Sequence, residues 1–384
     1  MNAHDLVGPV AADILNLADQ AEAERRLPPP LMERLTAAGL FSIYTPRQFG
    51  GLELSLPEAL RVVEEVARLD GSTGWTVALG VANDLFTCVL PDASAARVLR
   101  HGSALIAGAP GFSVRAEAVD GGYCLTGQWP FCSGAPNATW ITVAAPVFDG
   151  ETPRLGPGGP ELIAAFLPPS DVEIVDTWHV TGLRGTGSHD LRVDHVFVPA
   201  EMAGPMAIPE GPRQLRASIL ARIPFMTLVG IAQSPPVCLG IARHAIDEFR
   251  ALALAKERPF TPRLSEQVQA HEGLARAEAQ LRAARCYWYA SVECLWATVT
   301  RGEQLSLGDR ANSRLASLTA VENSLAAVDS LRRLAGSSAI FQSAPFERCW
   351  RDVHTAAQHV QVQHGRWETA GRILFGLDPA SPIV

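Results

Sequence analysis

Three histidines recur at five-residue intervals in FERCWRDVHTAAQHVQVQHGRW: His354, His359 and His364. Imidazole can give or take a proton near neutral pH, so each is a candidate acid–base group. On a continuous helix a five-residue step turns the chain by about 140°. The three would then not share a face, and a metal cluster is not expected. The chain has 7 cysteines, an odd number with no CxxC pair, so neither a disulfide framework nor a zinc site is expected. GTGSHD at Gly185–Asp190 lacks the GxxxxGK[ST] pattern, and no GxGxxG occurs. A P-loop and a Rossmann dinucleotide site are therefore not expected. GQWPFCSG (Gly127–Gly134) places Trp129, Phe131, Cys132 and Ser133 close together in a β-like run. Such a run could be a plain core strand, with Cys132 as a small buried hydrophobe.

The elements that must position these groups fall into three zones of an α+β chain. Residues 1–105 are helical in pattern: Leu31, Leu35 and Leu40, then Leu56, Leu60, Val63 and Val66, recur near helical spacing. Residues 106–212 are rich in glycine, proline and valine, and YCLTGQWPF, TWITVAAPVF, ELIAAFLP and LRVDHVFVP read as strands. Residues 213–384 are almost all helical, with long alanine- and leucine-rich runs at Ala270–Thr300 and Leu315–Leu334. With 384 residues and 47% hydrophobic content, a sizeable core is expected. The net charge of −8 offers no basic field for nucleic acid. The amino terminus lacks a signal-peptide pattern and no stretch approaches ~18 uninterrupted apolar residues. A cytoplasmic protein with no membrane partner is the expectation.

Five short segments, in order, carry a family resemblance: PRQFGG (Pro46–Gly51), ARLDGSTGW (Ala67–Trp75), GGYCLTGQWPFCSG (Gly121–Gly134), TWHVTGLRGTGSHDLRVDHVFVP (Thr177–Pro199) and FERCWRDVHTAAQH (Phe346–His359). Together they resemble the acyl-CoA dehydrogenases, and within them the reduced-flavin-dependent hydroxylases of two-component systems. The resemblance implies an N-terminal helical domain, a middle sandwich- or barrel-like β domain and a C-terminal four-helix bundle. It also implies a homotetramer arranged as a dimer of dimers.

Chemistry decides between the two branches. A dehydrogenase needs a carboxylate base within reach of the substrate proton. The family carries it eight residues after the aspartate of the "RD" pair or, in a minority, on the helix that starts the bundle. These positions correspond here to Val360 and Gly230, neither of which can take a proton. The monooxygenase branch instead reacts reduced flavin with O2 to give a C4a-(hydro)peroxide, which the protein must stabilise away from water. The resemblance puts an active-site histidine at His359 and sets Phe131, Cys132 and Ser133 against the flavin ring, with Trp129 shielding an edge. It puts Arg258, in AKERPF, on the flavin diphosphate of a neighbouring subunit, where a guanidinium fork fits; that somewhat favours FAD over FMN. Phenol hydroxylases of this group carry a histidine after "GW" and a serine in the first β segment. Here Ala82 and Asn83, then Ala107 and Gly108, occupy those places. Phenol specificity is not carried over, and Asn83 is left as a hydrogen-bonding candidate.

The expectation is a monooxygenase that takes reduced FAD or FMN from a separate flavin reductase and uses O2 to hydroxylate a small molecule. A dehydrogenase or oxidase with a relocated base (Glu248, Glu257, Glu347 or Glu368) and a catalytically silent scaffold are the alternatives.

Overall fold

The computed structural model describes residues 3–99, 105–111, 114–156, 159–207, 211–212, 219–255 and 262–381. Six helices come first: α1 (Ala3–Val7), α2 (Ala11–Glu24), α3 (Pro29–Ala37), α4 (Leu56–Leu69), α5 (Gly71–Asn83) and α6 (Asp92–Val98). Local chemistry starts the central pair. Ser55 and Glu58 form a reciprocal cap on α4, and Pro57 sits in its first turn. Asp70 caps α5 by accepting from the Thr73 amide at 2.7 Å. Their close approach depends on small residues. A Cβ on Gly74 would lie 2.4 Å from that of Ala67.

Strands follow: β1 (Ile106–Pro110), β2 (Arg115–Val119), β3 (Gly122–Cys132), β4 (Trp140–Asp149), β5 (Thr152–Pro153), β6 (Leu155–Gly156), β7 (Gly159–Pro160), β8 (Leu162–Leu167), β9 (Glu173–Val175), β10 (His189–Pro199), β11 (Ala203–Ala207) and β12 (Gly211–Pro212). All but the β6–β7 hairpin join one mixed sheet, in which β4 runs parallel to both β1 and β2. The long β3–β10 ladder is antiparallel and has two register irregularities. The apolar side chains of the sheet form a core of their own, separate from that of the helices.

The remaining helices are α7 (Phe225–Ala232), α8 (Ser234–Ala255), α9 (Val268–Thr300), α10 (Leu307–Ala335), α11 (Pro345–Ala356) and α12 (Gly365–Leu374). Helices α8 to α11 pack on one another, and α4 lies against α8. Phe225–Ala255 spans 31 residues, and its most apolar 18-residue window has mean hydropathy 1.5, enough by length and composition to cross a membrane. Yet 83% of that window is buried inside the fold, as in a core helix.

The histidine segment departs from the single helix on which its spacing was judged. Helix α11 ends at Ala356; His359 caps a short 3-10 turn at Val360–Val362, and His364 precedes α12. The 140° argument therefore does not describe these three residues.

Candidate active site

The end of β3 shows how four neighbouring residues separate. Trp129 is fully buried, and its Nε1 donates to Ala144 O at 2.9 Å. Strand alternation would put residue 131 on the same inner face. Phe131, however, has φ of +61° and is 71% exposed. The left-handed residue swings its ring out toward Trp178, edge to face at 6.3 Å between centroids. Cys132 turns back into the β core, and burial pushes its thiol well up. The sheet encloses Trp129, and Cys132 packs in the β core, one of the two roles its sequence allowed.

Ser133 begins a directed chain of hydrogen bonds. Trp75 Nε1, from α5, donates to Ser133 Oγ at 3.0 Å. Ser133 Oγ and Ser188 Oγ lie 2.7 Å apart, as do Ser188 Oγ and Thr186 Oγ1. Thr186 Oγ1 gives its proton to Leu183 O at 2.8 Å. Each hydroxyl has one proton. Ser188 must then donate to Thr186, and Ser133 to Ser188. Ser133, one lone pair taken by Trp75, is left with one free lone pair and no proton to offer. The loop that carries Thr186 and Ser188 is fixed from α11: the Leu183 amide donates to Asp352 Oδ1 at 2.6 Å, and Arg351 Nη1 to Thr181 O at 2.6 Å.

The Trp75 ring also meets His359, at 5.6 Å between centroids and 70° between planes. Burial, with Arg314 nearby, pushes the imidazole pKa down to about 4. His359 is therefore neutral at pH 7. Its Nδ1 accepts a long 3.5 Å bond from the Gln361 amide, which leaves the proton on Nε2. His354 does other work, pairing with Asp329 at 3.0 Å and packing on Trp350.

Asn83 is buried at the end of α5, where its Nδ2 donates to Ile106 O at 2.9 Å and ties the helix to β1. Its Oδ1 faces Gly108, where a Cβ would approach to 2.9 Å. Arg258 and Glu257 lie outside the described residues. Of the other relocated-base candidates, Glu248 lies 3.7 Å from His244, Glu347 is held by Arg351 at 2.8 Å, and Glu368 is exposed on α12. None belongs to the Ser133–Trp75–His359 chain. Of the two family base positions, one adjoins it in sequence and the other faces Arg314. Val360 follows His359 and is 46% exposed. Gly230 faces the Arg314 guanidinium, which a Cβ would strike at 2.4 Å. Sequence reasoning missed Trp75, Thr186, Ser188 and Arg314 as members of this junction.

Residues 7–97 match the acyl-CoA dehydrogenase N-terminal domain, and residues 232–364 match the acyl-CoA dehydrogenase C-terminal domain. The chain is 31% identical over 405 residues to the FADH(2)-dependent resorcinol hydroxylase, oxygenase component, of Rhizobium sp. (strain MTP-10005), covering 97% of this chain and 95% of that protein. It is 29% identical over 360 residues to indole-3-acetate monooxygenase of Pseudomonas putida, covering 93% and 90%. Its fold matches XiaF from Streptomyces sp., solved in complex with FADH2 and glycerol, with a TM-score of 0.90 and 24% identity over 100% of this chain and 97% of that one. The chain belongs to the acyl-CoA dehydrogenase family, among its flavin-dependent monooxygenases.

Proposed function

We propose that this chain is the oxygenase of a two-component system, receiving reduced FAD or FMN from a separate flavin reductase and using O2 to hydroxylate a small organic molecule. The observation that carries this reading is the proton order of the chain at Ser133. A hydroxyl that can only accept is matched to an N–H donor. The central ring of a flavin offers N–H at N5 when reduced and only a lone pair there when oxidised, so this site favours the reduced form.

When bound, reduced flavin supplies the electrons that activate O2. The protein's own groups do the rest. Phe131 and Trp178 give the ring an apolar wall, and Ser133 accepts from its edge. His359, neutral and protonated on Nε2, offers a hydrogen bond to an oxygen that gains negative charge. Trp75 fixes Ser133 and His359 relative to one another. Acyl-CoA oxidation lacks its base here, since Val360 and Gly230 hold the two positions. Assembly as a homotetramer, with Arg258 reaching a neighbouring subunit's flavin diphosphate, belongs to the same reading.

The test is to load the protein anaerobically with reduced FAD or FMN, mix it with oxygenated buffer and follow the flavin spectrum. A transient distinct from both reduced and oxidised flavin is expected, shortened in Ser133→Ala and His359→Ala. Immediate reoxidation with and without candidate substrates, or reduction of the bound oxidised flavin by an acyl-CoA, would refute it.

A further inference from the structure

Among the described residues, Arg314 is a buried cation without an acid. It is 3% exposed, on the second turn of α10. Its Nη1 donates to Gln361 O at 2.8 Å, and its Nη2 makes a long 3.4 Å contact with Met226 O. Both acceptors are uncharged. Its Nε is buried without a hydrogen-bond partner, and so are Gln361 Oε1 on the turn it grips and Ser317 Oγ, three residues along α10. The charged neighbours that act on it, Arg366 and Arg310, are also cations. Arg366 in turn donates to Val360 O at 3.0 Å and Ser381 Oγ at 3.4 Å, and to no carboxylate among the described residues.

A guanidinium taken from water costs several kcal/mol unless an anion meets it. Native proteins rarely leave buried polar atoms unmatched without a reason. The cation is two residues from His359 through its bond to Gln361, and its guanidinium lies against Gly230, where a Cβ would come within 2.4 Å of Nη1. We propose that Arg314, with Arg366 behind it, is the anion-binding residue of the substrate site, so that the substrate class is a small organic acid held by its carboxylate beside His359. This rests on the monooxygenase reading above and names the chemistry of its substrate. Two of the guanidinium's N–H groups can face one carboxylate, and the same placement leaves the opposite end of the molecule free to approach the flavin.

The test is a binding comparison that needs no turnover. Flavin-saturated protein is titrated, without O2, with phenylacetate, indole-3-acetate and salicylate, and with the neutral amide of each. At least one acid is expected to bind tenfold or more tighter than its amide. That preference should vanish in Arg314→Gln and survive in part in Arg314→Lys. Equal binding of every acid and its amide to the wild-type protein overturns the proposal, as does a preference that persists in Arg314→Gln. Acid binding to the flavin-free protein that is lost when FMN or FAD saturates it would assign the cation to a flavin phosphate and also overturn it. If Arg314→Gln does not fold, Gly230→Ala replaces it. The added methyl should weaken the acid and spare the amide, and an unchanged acid affinity counts against the proposal. Oxygen reactivity is followed on the same preparations. Acid binding without an oxygen-derived transient keeps the anion site and removes the monooxygenase reading, whereas the transient without acid preference removes the anion site alone.

Discussion

Replacing His359 with glutamine tests the electrostatics of the site directly. In the folded protein its pKa lies near 4, lowered first by burial and then by Arg314. In the unfolded chain it returns to about 6.5. Between these values the unfolded state binds the proton and the folded state does not, so this group makes stability fall as pH falls from about 6.5 toward 4. Above 6.5 the imidazole is neutral in both states and contributes nothing to the slope. The native protein should lose about 1 kcal/mol from this source by pH 5.5 and about 2–3 kcal/mol by pH 4.5. Glutamine can still accept from the Gln361 amide but does not titrate. Urea unfolding of the two proteins should therefore differ by a gap that shifts steadily in favour of His359→Gln as pH drops. Gln-substituted and wild-type curves that stay parallel from pH 7 to 4.5 would refute the reasoning, because the imidazole would then be equally protonated in both states. In turnover, the same shift predicts no acid limb near pH 6.5 from this residue.

Three substitutions separate site from scaffold. Phe131→Gly should leave stability within about 1 kcal/mol, since relief of the left-handed backbone offsets glycine's extra unfolded-state freedom. It should weaken reduced-flavin binding about tenfold, taking one apolar contact wall as worth roughly 1.4 kcal/mol; calorimetric titration and urea unfolding check the two halves. Trp129→Phe should do the reverse, costing about 2–4 kcal/mol through the lost bond to Ala144 O and the space left behind, with flavin affinity unchanged. Gly240→Ala should cost about 2–3 kcal/mol in urea despite alanine's better helix propensity, because its Cβ would come within 2.3 Å of Glu64 O where α8 crosses α4; a gain in stability would mean the helices can part.

Periodicity and turn chemistry made the layers legible before any coordinates. The spacing of Leu56, Leu60, Val63 and Val66 gave α4, and the Ser55–Glu58 cap fixes where it starts. The site was less legible because its geometry comes from departures from local rules. Alternation would hide Phe131 beside Trp129, and only the positive φ at 131 exposes it. The RDVHTAAQH run reads as continuous helix, and the end of α11 at Ala356 puts His359 on a cap, its ring turned to Trp75. Trp75 was visible only as part of a family segment, since nothing in its own stretch says that its indole reaches Ser133. Arg314 did leave a trace. Ala311, Arg314, Leu318, Val321, Ser324, Val328, Leu331 and Ala335 form one buried stripe at three- and four-residue steps along α10. A single arginine in a row otherwise made of small or apolar residues is a charge in the core.

That arginine and the missing base can be read together. A carboxylate side chain at position 230 would begin with a Cβ 2.4 Å from Arg314 Nη1 and 2.8 Å from its Cζ. The two groups cannot keep their present places, and any acid that did fit would be neutralised by the guanidinium it touched. Glycine at 230 therefore does more than omit a base. It leaves the cation uncompensated beside His359, where a negative ligand is favoured and an acyl thioester, which carries no charge at its reacting end, gains nothing. Gly230→Glu should accordingly fail to confer acyl-CoA oxidation and should weaken binding of carboxylates to the flavin-loaded protein. Acyl-CoA-dependent bleaching of bound FAD in that variant would show that the guanidinium moves aside, and the link between the two features would be lost.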